Sequence, residues 1–175
     1  MDPNSIFACF RPNVLKMEGY TPGEQWQDPQ VIKLNTNENP YPPPVGVQKV
    51  LETYPLDRLR RYPDPLANRL RDYVAKLWGL PNREWVLVGN GSDDILTLLF
   101  RCFADETRKV VVLNPSYSLY PVLAQIQNAE VNEIILTHEF ELPDEFPDEV
   151  WKANLWMITR PNAPTGNSFP KRRIE

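Results

Sequence analysis

Apolar and polar positions fall into blocks along this chain, and the blocks change period. Five short runs read as strands: Val31 to Leu34, Trp85 to Val88, Lys109 to Leu113, Val131 to Leu136 and Leu155 to Thr159. Several are continuously apolar, the pattern of a strand buried on both faces. Helical blocks lie between them. Pro44 to Tyr54 predicts one helix. Asp64 is placed to cap a second, with Pro65 at its first position. That helix carries Leu66, Leu70, Tyr73, Val74 and Leu77 on one face and ends at Gly79, with Pro81 just beyond. Ser92 to Phe103 is apolar nearly all round, which predicts burial on more than one side. Tyr117 to Asn128 predicts a further helix with Pro121 in its first turn. Strands alternating with helices imply an α/β fold with a mostly parallel sheet covered on both faces.

The prolines divide the chain. Residues 1–44 read as an irregular arm and residues 45–175 as the α/β domain. The turn signals of the arm are Tyr20 to Gly23 and the Pro-rich run Asn39 to Pro44. Proline fixes φ and removes a donor, so such a segment is neither regular helix nor central strand. Phe7, Phe10, Tyr20, Trp26 and Tyr41 argue that the arm packs on a surface, because disordered tails are poor in aromatics.

Composition narrows the class. A chain of 175 residues with 42% hydrophobic and 24% charged residues is globular. Its 19 prolines are roughly twice the usual share. A net charge of −4 gives no electrostatic footprint for nucleic acid. No apolar run approaches the ~18 residues of a membrane helix. Cys9 and Cys102 make neither a disulfide framework nor a metal quartet. The start lacks a basic region followed by a long apolar stretch, so the expectation is a soluble, cytoplasmic protein without a secretory signal.

In open α/β sheets, ligands bind beyond the carboxyl ends of the strands. Gly89-Asn90-Gly91-Ser92-Asp93-Asp94 follows the second expected strand. Two glycines permit a tight turn, and the unpaired amides of the following helix can hold a phosphate. A plain strand-to-helix turn with Ser92 as N-cap reads equally well. A dinucleotide fingerprint fails at its third glycine, where Asp94 stands. The two aspartates favour the helix dipole but would repel a phosphate they faced. Tyr117, in Asn114 to Tyr120, is placed to stack on a flat ring or to pack in the core. Asn162, in Arg160 to Gly166, is placed to donate to a ring oxygen or to brace a rigid turn.

The order of these pieces resembles the pyridoxal-phosphate aminotransferases of the aspartate aminotransferase type. The carrying stretches are GYTPG from Gly19, KLNTNENPYPPP from Lys33, RRYPDP from Arg60, VLVGNGSDDIL from Val86, NPSYSLY from Asn114 and RPNAPTG from Arg160. The resemblance implies an incomplete three-layer α/β sandwich like the large domain of fold-type I enzymes, and pyridoxal 5'-phosphate as cofactor. It implies that Ser92, Asp93 and the amide of Asp94 hold the cofactor phosphate and that Tyr117 stacks on the ring. Tyr62 would reach the cofactor phosphate of a neighbouring subunit in a homodimer. Tyr20 and the Asn35 to Asn39 stretch, with Asn35 and Asn37, would border the substrate. The family often has Asn directly before Pro-Thr-Gly, where Ala163 stands here, so Asn162 is the nearest replacement for that ring contact. The substrates implied are an amino donor and a 2-oxo acid, the donor being an imidazole-bearing phosphate ester or a similar amine.

The resemblance also implies an N-terminal fragment. None of Lys16, Lys33, Lys49, Lys76, Lys109, Lys152 and Lys171 sits in the family's serine-lysine motif. The Schiff-base lysine is therefore expected outside this chain, which alone would be inactive. A phosphothreonine decarboxylase, an aromatic-amino-acid transaminase, or a non-catalytic piece serving subunit contact are the alternatives. His138 and the acidic run Glu139 to Glu149 read as solvated surface.

Overall fold

The computed structural model describes residues 7–18, 23–24, 26–28 and 30–174. The chain divides into two compact units: Met1–Tyr20 with Gly89–Glu175, and Thr21–Val88.

The first unit is built on a three-stranded parallel sheet. Its strands are β1 (Val110–Asn114), β2 (Val131–Ile135) and β3 (Leu155–Met157), in the order β2-β1-β3. Val110 pairs with Val131 on one side and with Leu155 on the other. The unbroken Val-Val-Val-Leu run has a direct use. Val110 and Val112 face one apolar cluster, whereas Val111 and Leu113 face a second. Successive side chains of a strand point to opposite faces, so a central strand must be apolar at every position. Fully burying each such side chain contributes about 1.5–3 kcal/mol.

One face is covered by two helices, α4 (Ser92–Phe103) and α5 (Leu119–Ile126). Phe100, Tyr120, Leu123 and Ala124 pack there with Val110, Val112 and Met157. The other face is covered by irregular chain: Leu136, Leu142, Val150 and Phe169 close over Val111, Leu113 and Ile134. The arm helix α1 (Pro12–Leu15) is seated at the end of α5. There Arg11 Nη2 donates to Ile126 O at 2.8 Å and Asn13 Nδ2 to Gln125 O at 2.8 Å. These cover carbonyls that a helix C-terminus otherwise leaves unpaired.

The second unit holds α2 (Val45–Glu52), a 3-10 turn at Leu56–Arg60, α3 (Asn68–Leu77) and a 3-10 turn at Arg83–Trp85. Gly79 at φ +64° ends α3 as expected, with Leu80 N bonded to Ala75 O and Gly79 N to Lys76 O. Leu66, Leu70, Tyr73 and Leu77 are exposed.

Four local expectations are corrected. Val31 to Leu34 forms no strand: Val31 N turns back to Asp28 O, and Thr36 and Asn37 take positive φ, which breaks an extended path. Trp85 to Val88 forms none either. Val86 has extended dihedrals, but its carbonyl accepts from Arg71 Nε at 2.8 Å instead of from a neighbouring strand. The helix expected from Pro65 begins at Asn68, because Ala67 at φ +47° interrupts it. Asp64 still caps, accepting from Leu66 N at 3.1 Å and Asn68 N at 2.7 Å. Finally, α4 is not enclosed all round. Phe100 is fully buried, but Leu98, Cys102 and Phe103 are exposed, since only one flank meets the sheet.

Candidate functional site

β1 and β3 are parallel neighbours, so the loops that follow them leave the same edge of the sheet. The loop after β1 carries Pro115, Ser116 and Tyr117; the turn after β3 carries Thr159 to Gly166. The N-terminus of α4 lies beside the first. Tyr117 donates its hydroxyl hydrogen to Asp93 Oδ1 at 3.3 Å, and its ring stands edge-on to Tyr120, 5.5 Å away at 90°.

The turn into α4 needs both its glycines, for different reasons. Gly91 is the N-cap, at φ 81° and ψ 177°. Only glycine adopts that region without strain. At Gly89 the constraint is space: an added Cβ would stand 3.0 Å from both Asp94 Cβ and Ile95 Cδ1. Gly91, not Ser92, is therefore the cap, and Ser92 opens the helix. Asp94 Oδ2 accepts from Asn90 N at 2.8 Å, and Gly91 N donates to Gly89 O at 3.1 Å. With those two amides engaged, the donors that the turn presents are Ser92 Oγ and the amides of Ser92, Asp93 and Asp94, which have no intrahelical acceptor. Each carboxylate has a donor of its own, in Tyr117 and in Asn90. The donor set thus suits an anion, and the Tyr117 ring beside it suits a flat heterocycle. A phosphorylated pyridine fits both.

Asn162 behaves differently from the expectation that it donates to a ring oxygen. Its side chain is buried, and both amide hydrogens are engaged inside the protein. Nδ2 donates to Pro115 O at 3.0 Å and to Thr165 Oγ1 at 2.8 Å. Oδ1 accepts from Ser116 Oγ at 2.9 Å and Thr159 Oγ1 at 3.1 Å.

Four residues at this edge had no assigned role in the sequence: Ser116, Tyr120, Thr159 and Thr165. Tyr120 lies three positions after Tyr117, and that i,i+3 spacing was the available signal. Burial raises the Tyr120 phenol above its ordinary pKa; a hydrogen bond with Thr159 opposes this, and the Asp93 charge adds to it. The phenol stays neutral across the physiological range.

The remaining site residues lie elsewhere. Tyr62, Asn35 and Asn37 belong to the second unit. Tyr62 is fully exposed, Asn35 Nδ2 donates to Glu24 O at 2.9 Å, and Asn37 has φ +53°. Tyr20 lies outside the described residues. His138 is 90% exposed, as expected of a surface residue. Among the described residues there is no cluster of metal-binding side chains, and no helix is long and apolar enough to cross a membrane.

The sequence model of the aminotransferases of class I and II matches residues 29–175. A histidinol-phosphate aminotransferase of Rhodopirellula baltica is 44% identical over 165 residues, covering 94% of this chain and 46% of that protein. The chain spans about half the length of the relatives it matches. Solved structures agree on the fold. A tetra mutant of Thermus thermophilus aspartate aminotransferase superposes with a TM-score of 0.71 at 22% identity, over 93% of this chain and 45% of that one. The histidinol-phosphate aminotransferase of Clostridium acetobutylicum gives 0.66 at 21% identity, over 79% and 40%. Parallel sheet, helical cover, strand-end loops and sequence all lead to one family, and the chain belongs to the class I and II aminotransferases.

Proposed function

We propose that the protein carrying this chain is a pyridoxal-phosphate-dependent transaminase acting on histidinol phosphate and 2-oxoglutarate, with imidazole-acetol phosphate and glutamate as products. It would serve histidine biosynthesis as a cytoplasmic homodimer. The observation that carries this reading is the meeting of an anion-suited helix N-terminus with the Tyr117 ring, joined through Asp93. The 44% identity to a histidinol-phosphate aminotransferase supports the substrate.

Bound pyridoxal phosphate supplies the electron sink that makes the α-hydrogen of an amino substrate acidic. This chain's residues bind and orient it. Ser92 Oγ and the amides of Ser92, Asp93 and Asp94 hold the phosphate at the positive end of α4. Tyr117 stacks on one face of the ring, and Asp93 fixes the tilt of Tyr117. Tyr62 reaches the cofactor phosphate of the partner subunit. Tyr20, Asn35 and Asn37 border the substrate. The lysine that carries the cofactor lies outside these residues.

The test is a pyridoxal-phosphate titration followed by an assay of glutamate formation. Saturable binding, with histidinol phosphate preferred over phosphothreonine and aromatic amino acids, is the expected result. Preference for either of those reassigns the substrate. Unchanged cofactor binding in Ser92→Ala and Tyr117→Ala proteins overturns the site and leaves subunit contact as the role of this chain.

A further inference from the structure

The loop that carries Tyr117 is tied to the turn after β3 by one buried amide. Asn162 is 1% exposed, and among the described residues it is the one buried side chain that is neither apolar nor aromatic. A carboxamide has two hydrogens and two acceptor lone pairs, and here all four are engaged. Ser116 Oγ and Thr159 Oγ1 donate to it; Pro115 O and Thr165 Oγ1 accept from it. Its main chain is held too, with Asn162 N donating to Asn167 O and Gly166 N to Asn162 O, both at 2.7 Å. Two of the four side-chain partners, Pro115 and Ser116, are the residues immediately before Tyr117.

No other side chain of this size does the same work. Aspartate has no hydrogens for Pro115 O, and it would bring a charge into a buried place. Serine lacks the reach. Alanine leaves the Pro115 carbonyl and three hydroxyls, those of Ser116, Thr159 and Thr165, without this partner. A second path runs from the same amide: Thr159 donates to Asn162 Oδ1 and lies beside the Tyr120 phenol, and Tyr120 braces the Tyr117 ring edge-on.

We infer that Asn162 is a positioning residue: it locks the Pro115–Tyr117 loop to the turn after β3 and so sets the Tyr117 ring, instead of touching a ring oxygen itself. The consequence for a cofactor rests on the pyridoxal-phosphate reading above. The locking of the loop does not.

Two measurements on the protein that carries this chain decide it. The first needs no cofactor: amide hydrogen exchange at Tyr120, whose N–H donates to Tyr117 O, and at Gly166, whose N–H donates to Asn162 O. Asn162→Ala is expected to speed exchange there by about tenfold, the loss of roughly one net buried hydrogen bond. Unchanged exchange overturns the inference. The second is pyridoxal-phosphate affinity together with the induced circular dichroism of the bound chromophore. Asn162→Ala is expected to weaken binding about tenfold and reduce the induced signal, but to change affinity less than ~2-fold in a Tyr117→Ala background, because coupled residues are not additive. A full tenfold loss in that background means direct contact with the cofactor and overturns the inference. If Asn162→Ala does not fold, Ser116→Ala cuts one of the four bonds and takes both measurements, with an expected ~3-fold change in each. If the unaltered protein binds no pyridoxal phosphate, the proposed function fails, and exchange alone decides the role of Asn162.

Discussion

The Tyr117 hydroxyl lies 3.3 Å from Asp93 Oδ1, across 24 residues of sequence. One residue opens a helix and the other follows a strand, yet their contact joins the two halves of the candidate cofactor site. The contact is partly solvated, so its worth is modest. A cycle of Tyr117→Phe, Asp93→Asn and the double variant is expected to give a coupling of about 0.5–1 kcal/mol in thermal or denaturant unfolding. A coupling of zero would mean that Tyr117 is oriented by Tyr120 and its loop alone.

Gly91 holds a backbone conformation that a side chain resists, at φ 81° and ψ 177°. Gly91→Ala is expected to cost about 1–3 kcal/mol of stability. It should also weaken pyridoxal-phosphate binding, since it shifts the amides that would face the phosphate. Unfolding and ligand titration of the same protein check both effects. Stability unchanged from that of the unaltered protein would contradict the strain argument.

Asp64 supplies a pH dependence with a defined sign. Hydrogen bonds from the Leu66 and Asn68 amides lower its pKa below the ordinary value. The carboxylate is therefore the form the fold prefers. Its contribution is complete above the unfolded value, about 3.9, and is lost as pH falls through the lower folded value. Asp64→Asn should flatten the acid side of the stability curve without moving the alkaline side. Hydrogen exchange of α3 between neutral and acidic pH reads this directly.

Tyr120 acts at the other end of the scale. Its phenol is raised by burial, with the Thr159 bond opposing and Asp93 adding. The stability it contributes is complete below the unfolded value, about 10, and is lost as pH rises through the higher folded value. Tyr120→Phe is expected to remove part of the alkaline destabilisation. Melting curves on both sides of pH 10 measure it, and equal alkaline slopes in the two proteins would refute it.

How far the chain could be read follows from what each residue depends on. Val110 to Leu113 was legible because a central parallel strand is apolar on both faces, and no partner need be known to see that. Gly91 before α4, and Gly79 after α3, were legible because φ above zero is a local demand. Trp85 to Val88 has the same apolar signal, but a strand also needs a neighbour, and Arg71 takes the Val86 carbonyl first. Asn162 stands in the right turn for the reason a motif reader expects, close to Pro-Thr-Gly. Its partners at Pro115 and Ser116 lie 47 and 46 residues away, and local patterns carry no such pairing. The three-residue offset of Tyr120 from Tyr117 was visible, but nothing local says which hydroxyl will meet Thr159.

The alternation of β1 has a consequence for how damage spreads. Val110 and Val112 belong to one cluster, Val111 and Leu113 to the other, so the two cores share a backbone but no β1 side chain. The strand is a partition wall. A hole opened on the irregular side, at Phe169 for instance, is screened from the helical side by the stiffness of the ladder. Substitutions on opposite faces should then add, while pairs on one face should not. The loops of the candidate site hang from the ends of β1 and β3, the strands that form this wall. The helical core reaches them through Tyr120, which belongs to that cluster and stands edge-on to Tyr117, so redrawing the irregular side should disturb the rim less than redrawing the helical one.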